Sequence, residues 1–326
     1  LFPALTMHIP DGYLGPKTCA VFYAIMAPIW YAALKKTEKT LEVSQLPVLS
    51  LASASVFVIM MLNFPVPGGS TGHIVGGAMV AILLGPFAGL LSMTLVLFLQ
   101  AVLFGDGGIT AFGANSFNMA FLMSFSGYLV YSAIAGKDGV RSFPAAFIAA
   151  YVAVLLAAFV TAIELGLQPV LEIDALGMPL YAPYSLKVTL IAMMVPHVLF
   201  FAPIEGLATA LIVAYILKAG GRVHANAFPA ALKRRLIILL VILVVMVPLG
   251  LLAAKTPFGE WSGEELKSLI GYVPTGFSKL ENVWKAFIPD YGFYGIGEIT
   301  GYVVSALIGS SMVVLAIYLW GRLWKR

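Results

Sequence analysis

The stretch Met7-His8-Ile9-Pro10-Asp11-Gly12, read with His73 in Gly68-Gly69-Ser70-Thr71-Gly72-His73, carries the ligating chemistry of this chain. If a mature chain starts at Met7, His8 is its second residue. One short segment then offers the Met7 α-amine, the His8 backbone amide and the His8 imidazole as nitrogen donors. Amine and amide close a five-membered chelate ring around a metal; amide and imidazole close a six-membered one. These donors lie roughly in one plane and leave one in-plane position for a further imidazole. Planar nitrogen coordination suits Ni(II) or Cu(II). Alone, His73 also reads as a histidine at a helix start. Paired with His8 on the same membrane face, as argued below, it reads as the fourth donor.

Other residues are placed to support such a site, each with a plainer alternative. Pro10 fixes its own φ and stiffens the exit from the chelating segment. Asp11-Gly12 is a turn signal, and Asp11 either makes that turn or accepts an imidazole N–H. Ser70 and Thr71 sit in the glycine-rich approach to His73. Asp106, Asn115 and Asn118 lie in the polar, glycine-rich run 104–118, which lines the pocket, holds a lid over it or simply caps two helices. Asn63 and Gln100 stand near span ends, where they position the histidines or bond between helices. His197 and Glu205 lie within an apolar run, eight residues and so two turns apart: a relay, or structural pairing inside the bundle. His224 falls in a polar loop and reads as solvated.

Elements that hold these residues must be membrane helices. Of 326 residues, 61% are hydrophobic and 10% charged, and the mean hydropathy is +0.98. Soluble domains carry about 25% charged residues, so too few charges exist to clothe a water-facing surface. A spanning helix needs about 20 mainly apolar residues. Candidates run at 18–35, 47–63, 74–84, 86–104, 115–135, 143–165, 187–217, 235–254 and 299–320. The third is short and reads as a half-span inside the bundle; Pro196 and Pro203 should kink the seventh. The expected fold is all-α, a polytopic membrane helix bundle of about nine spans with the N-terminus outside and the C-terminus inside. Basic residues set that orientation. It puts Lys35, Lys36, Lys39, Lys137, Lys218, Lys233, Lys325 and every arginine inside, and leaves Lys17, Lys187, Lys255, Lys267, Lys279 and Lys285 outside. His8 and His73 then share the outer face.

Residues 1–6 are too short and uncharged to be a secretory signal and read as a leader remnant or an expression artefact. Residues 7–218 form a core of about seven spans, 219–234 a cytoplasmic linker, and 235–326 a two-span module around a long outer loop. The single cysteine, Cys19, excludes an intrachain disulfide and a multi-cysteine metal site. No basic run with interleaved aromatics suggests nucleic acid. No Gly-x-x-x-x-Gly-Lys-Ser/Thr run exists, so transport driven by ATP needs a separate subunit.

Several motifs together resemble a known family. These are Met7-His8-Ile9-Pro10-Asp11-Gly12-Tyr13-Leu14, Gly72-His73-Ile74-Val75-Gly76-Gly77-Ala78, the run from Leu103 to Ala111, and Val195-Pro196-His197 with Ile204-Glu205-Gly206. They look like the CbiM/NikM substrate-binding components of energy-coupling-factor transporters for cobalt and nickel, over about residues 7–218. Residues 235–326, with Ile288-Pro289-Asp290-Tyr291-Gly292, look like the small CbiN/NikN component fused behind. The resemblance implies a metal held by the Met7 amine, the His8 amide and imidazole, and His73. It also implies a leader removed ahead of Met7. The partners it implies are a transmembrane coupling component and two cytoplasmic ATPase subunits in the cell membrane. Ni(II) or Co(II) is the expected substrate, with nickel favoured because the planar geometry suits it and fused chains of this kind tend to be nickel systems. A stand-alone secondary transporter or channel, needing a polar conduit, is the alternative; a membrane enzyme is a more distant one.

Overall fold

Long apolar runs fold as helices because, in lipid, every backbone polar group must be satisfied within its own segment. The computed structural model describes residues 7–66, 70–136, 142–218, 230–253 and 260–324. Expectations about residues 1–6, Gly68, Gly69, His224, Lys137, Arg141, Arg222, Lys255, Lys325, Arg326 and most of the 219–234 linker fall outside those residues.

Helix α1 (Pro16–Thr40) opens with proline in its first turn and leaves most of its surface exposed. Proline there suits the helix, because its missing N–H would have no intrahelical partner. Helix α2 (Leu46–Met60) is buried on nearly every side, as expected for a helix apolar all round. Its 15 residues rise only about 22 Å. A two-stranded antiparallel hairpin follows, β1 (Asn63–Val66) and β2 (Ser70–His73), pairing Asn63 with His73. Helix α3 (Gly77–Leu84) is shorter still. A single break at Gly85 separates it from α4 (Pro86–Phe104), whose last turn is π-helical.

Helix α5 (Phe112–Ala135) has a π-helical segment at Ser116–Leu122. Helix α6 (Ser142–Leu171) packs on both α5 and α7 (Leu186–Leu217). A fully buried alanine series on α6, among it Ala146, Ala149, Ala150, Ala153 and Ala157, lets its neighbours approach closely, which is how helices associate without a hydrophobic driving force. The expected kinks in α7 take the form of one wide turn. His197–Phe201 is π-helical between Pro196 and Pro203, so the register change that proline imposes is absorbed without a break.

The C-terminal part contributes α8 (Ala230–Leu252), two short outer helices α9 (Gly263–Ile270) and α10 (Thr275–Leu280), and α11 (Glu298–Trp324). Both α8 and α11 pack on α2. Here Phe57 of α2 fills a notch over Gly309 of α11: a Cβ at Gly309 would lie 2.0 Å from the Phe57 ring. The module therefore wraps an otherwise central helix of the core.

Among the described residues, seven helices are long and apolar enough to cross a membrane. The apolar runs near 47–63 and 74–84 fold as the shorter α2 and α3, so the described residues give seven such helices where the sequence suggests about nine. A cavity of about 450 Å³ bordered by Lys36, Thr40, Gln45, Leu84 and Pro86 gathers the end of α1, the start of α2 and the α3–α4 junction at one end of the bundle. The protein is a multi-pass membrane protein whose hairpin lies between the far ends of α2 and α3.

Candidate metal centre

Pro10 and the residues before α1 fold the N-terminal segment down into the protein rather than away from it. Met7, His8 and Ile9 are all buried, His8 to 2% exposure. Asn115, at the start of α5, holds this segment by both groups of one residue. Its Oδ1 accepts from the Ile9 N–H at 2.8 Å and its Nδ2 donates to the Ile9 carbonyl at 3.0 Å. The Gly108 N–H donates to the same carbonyl at 2.9 Å. Asp11 accepts from the N–H groups of Ile109 and Thr110, at 3.1 and 2.7 Å, and from the Thr110 hydroxyl. The loop 105–111 is thus laid directly over the chelating segment. Gly108 is required for that approach: a Cβ there would sit 2.4 Å from the Asp11 nitrogen.

His73 comes in from the end of β2. Its ring meets that of His8 edge to face, centroids 5.0 Å apart and planes at 82°. Its Nδ1 lies 3.1 Å from the Ile74 carbonyl. In the tautomer that donates this bond, Nε2 is left as the free donor pair. Burial, then the neighbouring His8, pushes the His73 imidazole down to about 4, so at neutral pH the ring is uncharged. The backbone after His73 is fixed from α7. Glu205 accepts from the N–H groups of Val75 and Gly76 at 2.7 and 2.8 Å. A carboxylate at the start of α3 also faces the positive end of that helix dipole.

Asp106 stands against the His8 ring. Its Oδ1 lies 2.6 Å from His8 Nδ1, and among the described residues neither His8 ring nitrogen has another hydrogen-bond partner. Burial alone would raise the Asp106 carboxyl. The His8 ring, by charge and contact, then His73 and the Tyr291 hydroxyl, hold it well below the usual carboxylate range instead. Tyr291 donates to Asp106 Oδ2 at 2.6 Å. The phenol is itself pushed up by burial and by the Asp106 charge.

The structure therefore brings together Met7, His8, His73, Asp11, Asp106 and Asn115. Asn63 is the strand partner of His73, Ser70 lies on the same strand opposite Val66, and Thr71 is buried between them. Asn118 is directed elsewhere. Its Nδ2 donates to Thr161 and Glu164 of α6, and so ties α5 to α6. His197 and Glu205 do not form a relay: His197 Nδ1 lies 2.7 Å from the Met193 carbonyl, while Glu205 is spent on Val75 and Gly76. Tyr291 was not foreseen as part of the site, since no local pattern joins it to Asp106 across 185 positions.

Among the described residues no three His, Cys, Asp or Glu side chains converge as a metal-holding group. His8 and His73 are the imidazoles brought together here.

Residues 8–223 match the family described as the cobalt uptake substrate-specific transmembrane region, and residues 232–326 match the PDGLE domain. The fused nickel transport protein NikMN of Rhodobacter capsulatus is 40% identical over 335 residues, covering 95% of this chain and 96% of that protein. The cobalt transport protein CbiM of Thermosediminibacter oceani is 37% identical over 166 residues, covering 50% of this chain and 68% of that protein. A crystal structure of a truncated transition metal transporter is 47% identical, with a TM-score of 0.61, over 65% of this chain and 98% of that one. With two thirds of its length matched to that one family, and a PDGLE domain behind it, this chain belongs to the cobalt uptake substrate-specific transmembrane family.

Proposed function

We propose that this chain is the metal-capturing subunit of an ATP-driven importer, taking up Ni(II) in preference to Co(II). The observation that carries this reading is the meeting of buried His8 with His73, rings 5.0 Å apart, under a loop bonded to Ile9 and Asp11 just after His8. In this reading Met7 supplies its amine, His8 its amide and Nδ1, and His73 its remaining nitrogen. The amide must lose its proton, so one negative charge enters the donor set. His8 Nδ1 exchanges its contact with Asp106 for the metal, and the carboxylate stays beside the ion to offset its charge. Nickel is favoured because planar nitrogen coordination suits it and because the fused relative of similar length is a nickel transport protein. Cu(II) binds the same nitrogens at least as tightly by the general affinity order, so selectivity rests on metal supply and on the shape under the loop.

The same reading places Met7 and His73 on the outer face and the chain's C-terminus inside, with nine passes counting α2 and α3. Support comes from Lys36 at the opposite end of the bundle from His73, and from the alternation of direction through the short α2 and α3. It divides the chain at 218 and 235, and assigns ATP hydrolysis to partner ATPases that act through a transmembrane coupling component, since this sequence has no phosphate-binding loop.

Isothermal titration of Ni(II) into protein beginning at Met7, beside protein retaining residues 1–6, tests the donor set. Strong binding only in the former is expected; equal affinity in both removes the amine from the site. Uptake into vesicles should require co-reconstituted ATPase and coupling subunits. Uptake by the chain alone would instead support a stand-alone transporter.

A further inference from the structure

We propose that Tyr291, contributed by the C-terminal module, is a positioning residue of the metal centre and acts through Asp106, the carboxylate that lies against His8. The inference rests on reading His8 and His73 as metal ligands. A continuous line of contacts carries it: Tyr291 hydroxyl to Asp106 Oδ2 at 2.6 Å, and Asp106 Oδ1 to His8 Nδ1 at 2.6 Å. The phenol takes one carboxylate oxygen and leaves the other for the imidazole. Gln100 stands beside both, its Nε2 3.3 Å from the Tyr291 hydroxyl and 3.5 Å from Asp106 Oδ2.

The backbone under Tyr291 gives an independent reason to see a purpose in this contact. Asp290 and Tyr291 both have left-handed φ, at 54° and 58°, and among the described residues they are the non-glycine positions with positive φ. Residues with a Cβ seldom adopt that region, and they persist there only where the surroundings over-determine it. Here they do. The Tyr291 ring stacks on Phe104 with centroids 4.4 Å apart. Its carbonyl accepts from the Ser305 hydroxyl at 2.8 Å. The turn is also pinned by the Ile288 N–H donating to the Leu103 carbonyl at 2.7 Å. From this turn the phenol reaches across from the module to the loop of the core.

A chelate with an ionised amide leaves a divalent ion with one positive charge to offset. Asp106 is the carboxylate placed to do so, and the Tyr291 hydroxyl fixes which of its oxygens faces the ion and which does not. Groups that orient a ligand in this way typically change metal affinity by about 10–100-fold when removed.

The test is Ni(II) titration of the full-length chain beginning at Met7, with Tyr291→Phe, Asp106→Asn and the two combined. Tyr291→Phe keeps the ring on Phe104 and removes only the hydroxyl. It should weaken Ni(II) binding about tenfold while leaving the thermal unfolding temperature near that of the unaltered chain. Asp106→Asn should weaken binding at least as much, and the double variant no further, because the phenol acts through the carboxylate. Additive losses, or Tyr291→Phe binding as tightly as the unaltered chain while His8→Ala abolishes binding, would overturn this inference alone. An unaltered chain that does not bind Ni(II), or binding that survives His8→Ala, would overturn the metal reading and this inference with it.

Discussion

Asn115 satisfies both backbone groups of Ile9 with one amide side chain, in a place where water cannot substitute. Asn115→Ala leaves the buried Ile9 N–H without a partner at a cost of about 1–3 kcal/mol and frees the segment that carries His8. Ni(II) affinity, read by titration calorimetry, should fall by about tenfold or more; an unchanged affinity would mean the segment is held without it. Glu205 makes a comparable argument from the other side of the site. Glu205→Gln turns one acceptor into a donor that faces a backbone N–H of Val75 or Gly76. Thermal unfolding in detergent should show a loss of about 1–3 kcal/mol, and Ni(II) binding should weaken because His73 lies directly upstream. What the sequence alone reveals divides along these lines. His8, His73 and Asp106 are legible because imidazoles and carboxylates near a chain start, or in glycine-rich loops, are uncommon in so apolar a chain. Asn115 and Asn118 look alike on paper, yet one clamps Ile9 and the other ties α5 to α6. Which way an asparagine at a helix start faces is settled by packing three residues away, not by composition. Glu205 leaves a relay and structural pairing both open in the sequence, because its partners are the backbone N–H groups of Val75 and Gly76, which no sequence displays.

At the scale of elements, the loop 105–111 works because it lies flat on residues 9–11. Gly108→Ala drives a methyl group into the Asp11 backbone, and backbone cannot rotate away as a side chain would. The helices are untouched, so the variant should insert and purify normally, with an unfolding loss of about 1–3 kcal/mol. Its Ni(II) binding should be much weaker, as titration would show; full affinity would place the loop outside the site. Helices α1 and α4–α8, with α11, are legible from hydropathy, their ends to within about six residues. The runs 47–63 and 74–84 also show in hydropathy and fold as the shorter α2 and α3. One feature escapes that reading. The β1–β2 hairpin is four residues a side with Pro65 in one strand, too brief and too irregular for a period of two to register. Yet it is this hairpin that brings His73 to His8.

For the whole molecule, the core and the module are one packed body, because α2 lies between them. If residues up to 218 and from 230 onward are produced as separate chains in one membrane, they should co-elute in detergent as a single species. Independent elution would show that the buried faces of α2, α8 and α11 do not suffice to hold them. The module is also bonded to the core by three long-range links around the candidate site. Tyr302 donates to the Met61 carbonyl at 2.7 Å at the base of the hairpin, Trp284 donates to the Val102 carbonyl at 3.0 Å, and Tyr291 reaches Asp106. None of these links spans fewer than 180 positions, which is why the sequence suggests two halves side by side and not their shared site.

The fit of Phe57 into the gap left by Gly309 has a bearing on which halves are exchangeable. A methyl group at position 309 would collide with the fully buried Phe57 ring, so a C-terminal half borrowed from a related transporter seats here without repacking when it brings an equally bare position at that height. One missing side chain thus acts as a mating code between the two halves of the gene, and recombined pairs that violate it should fail at assembly before any metal is offered to them.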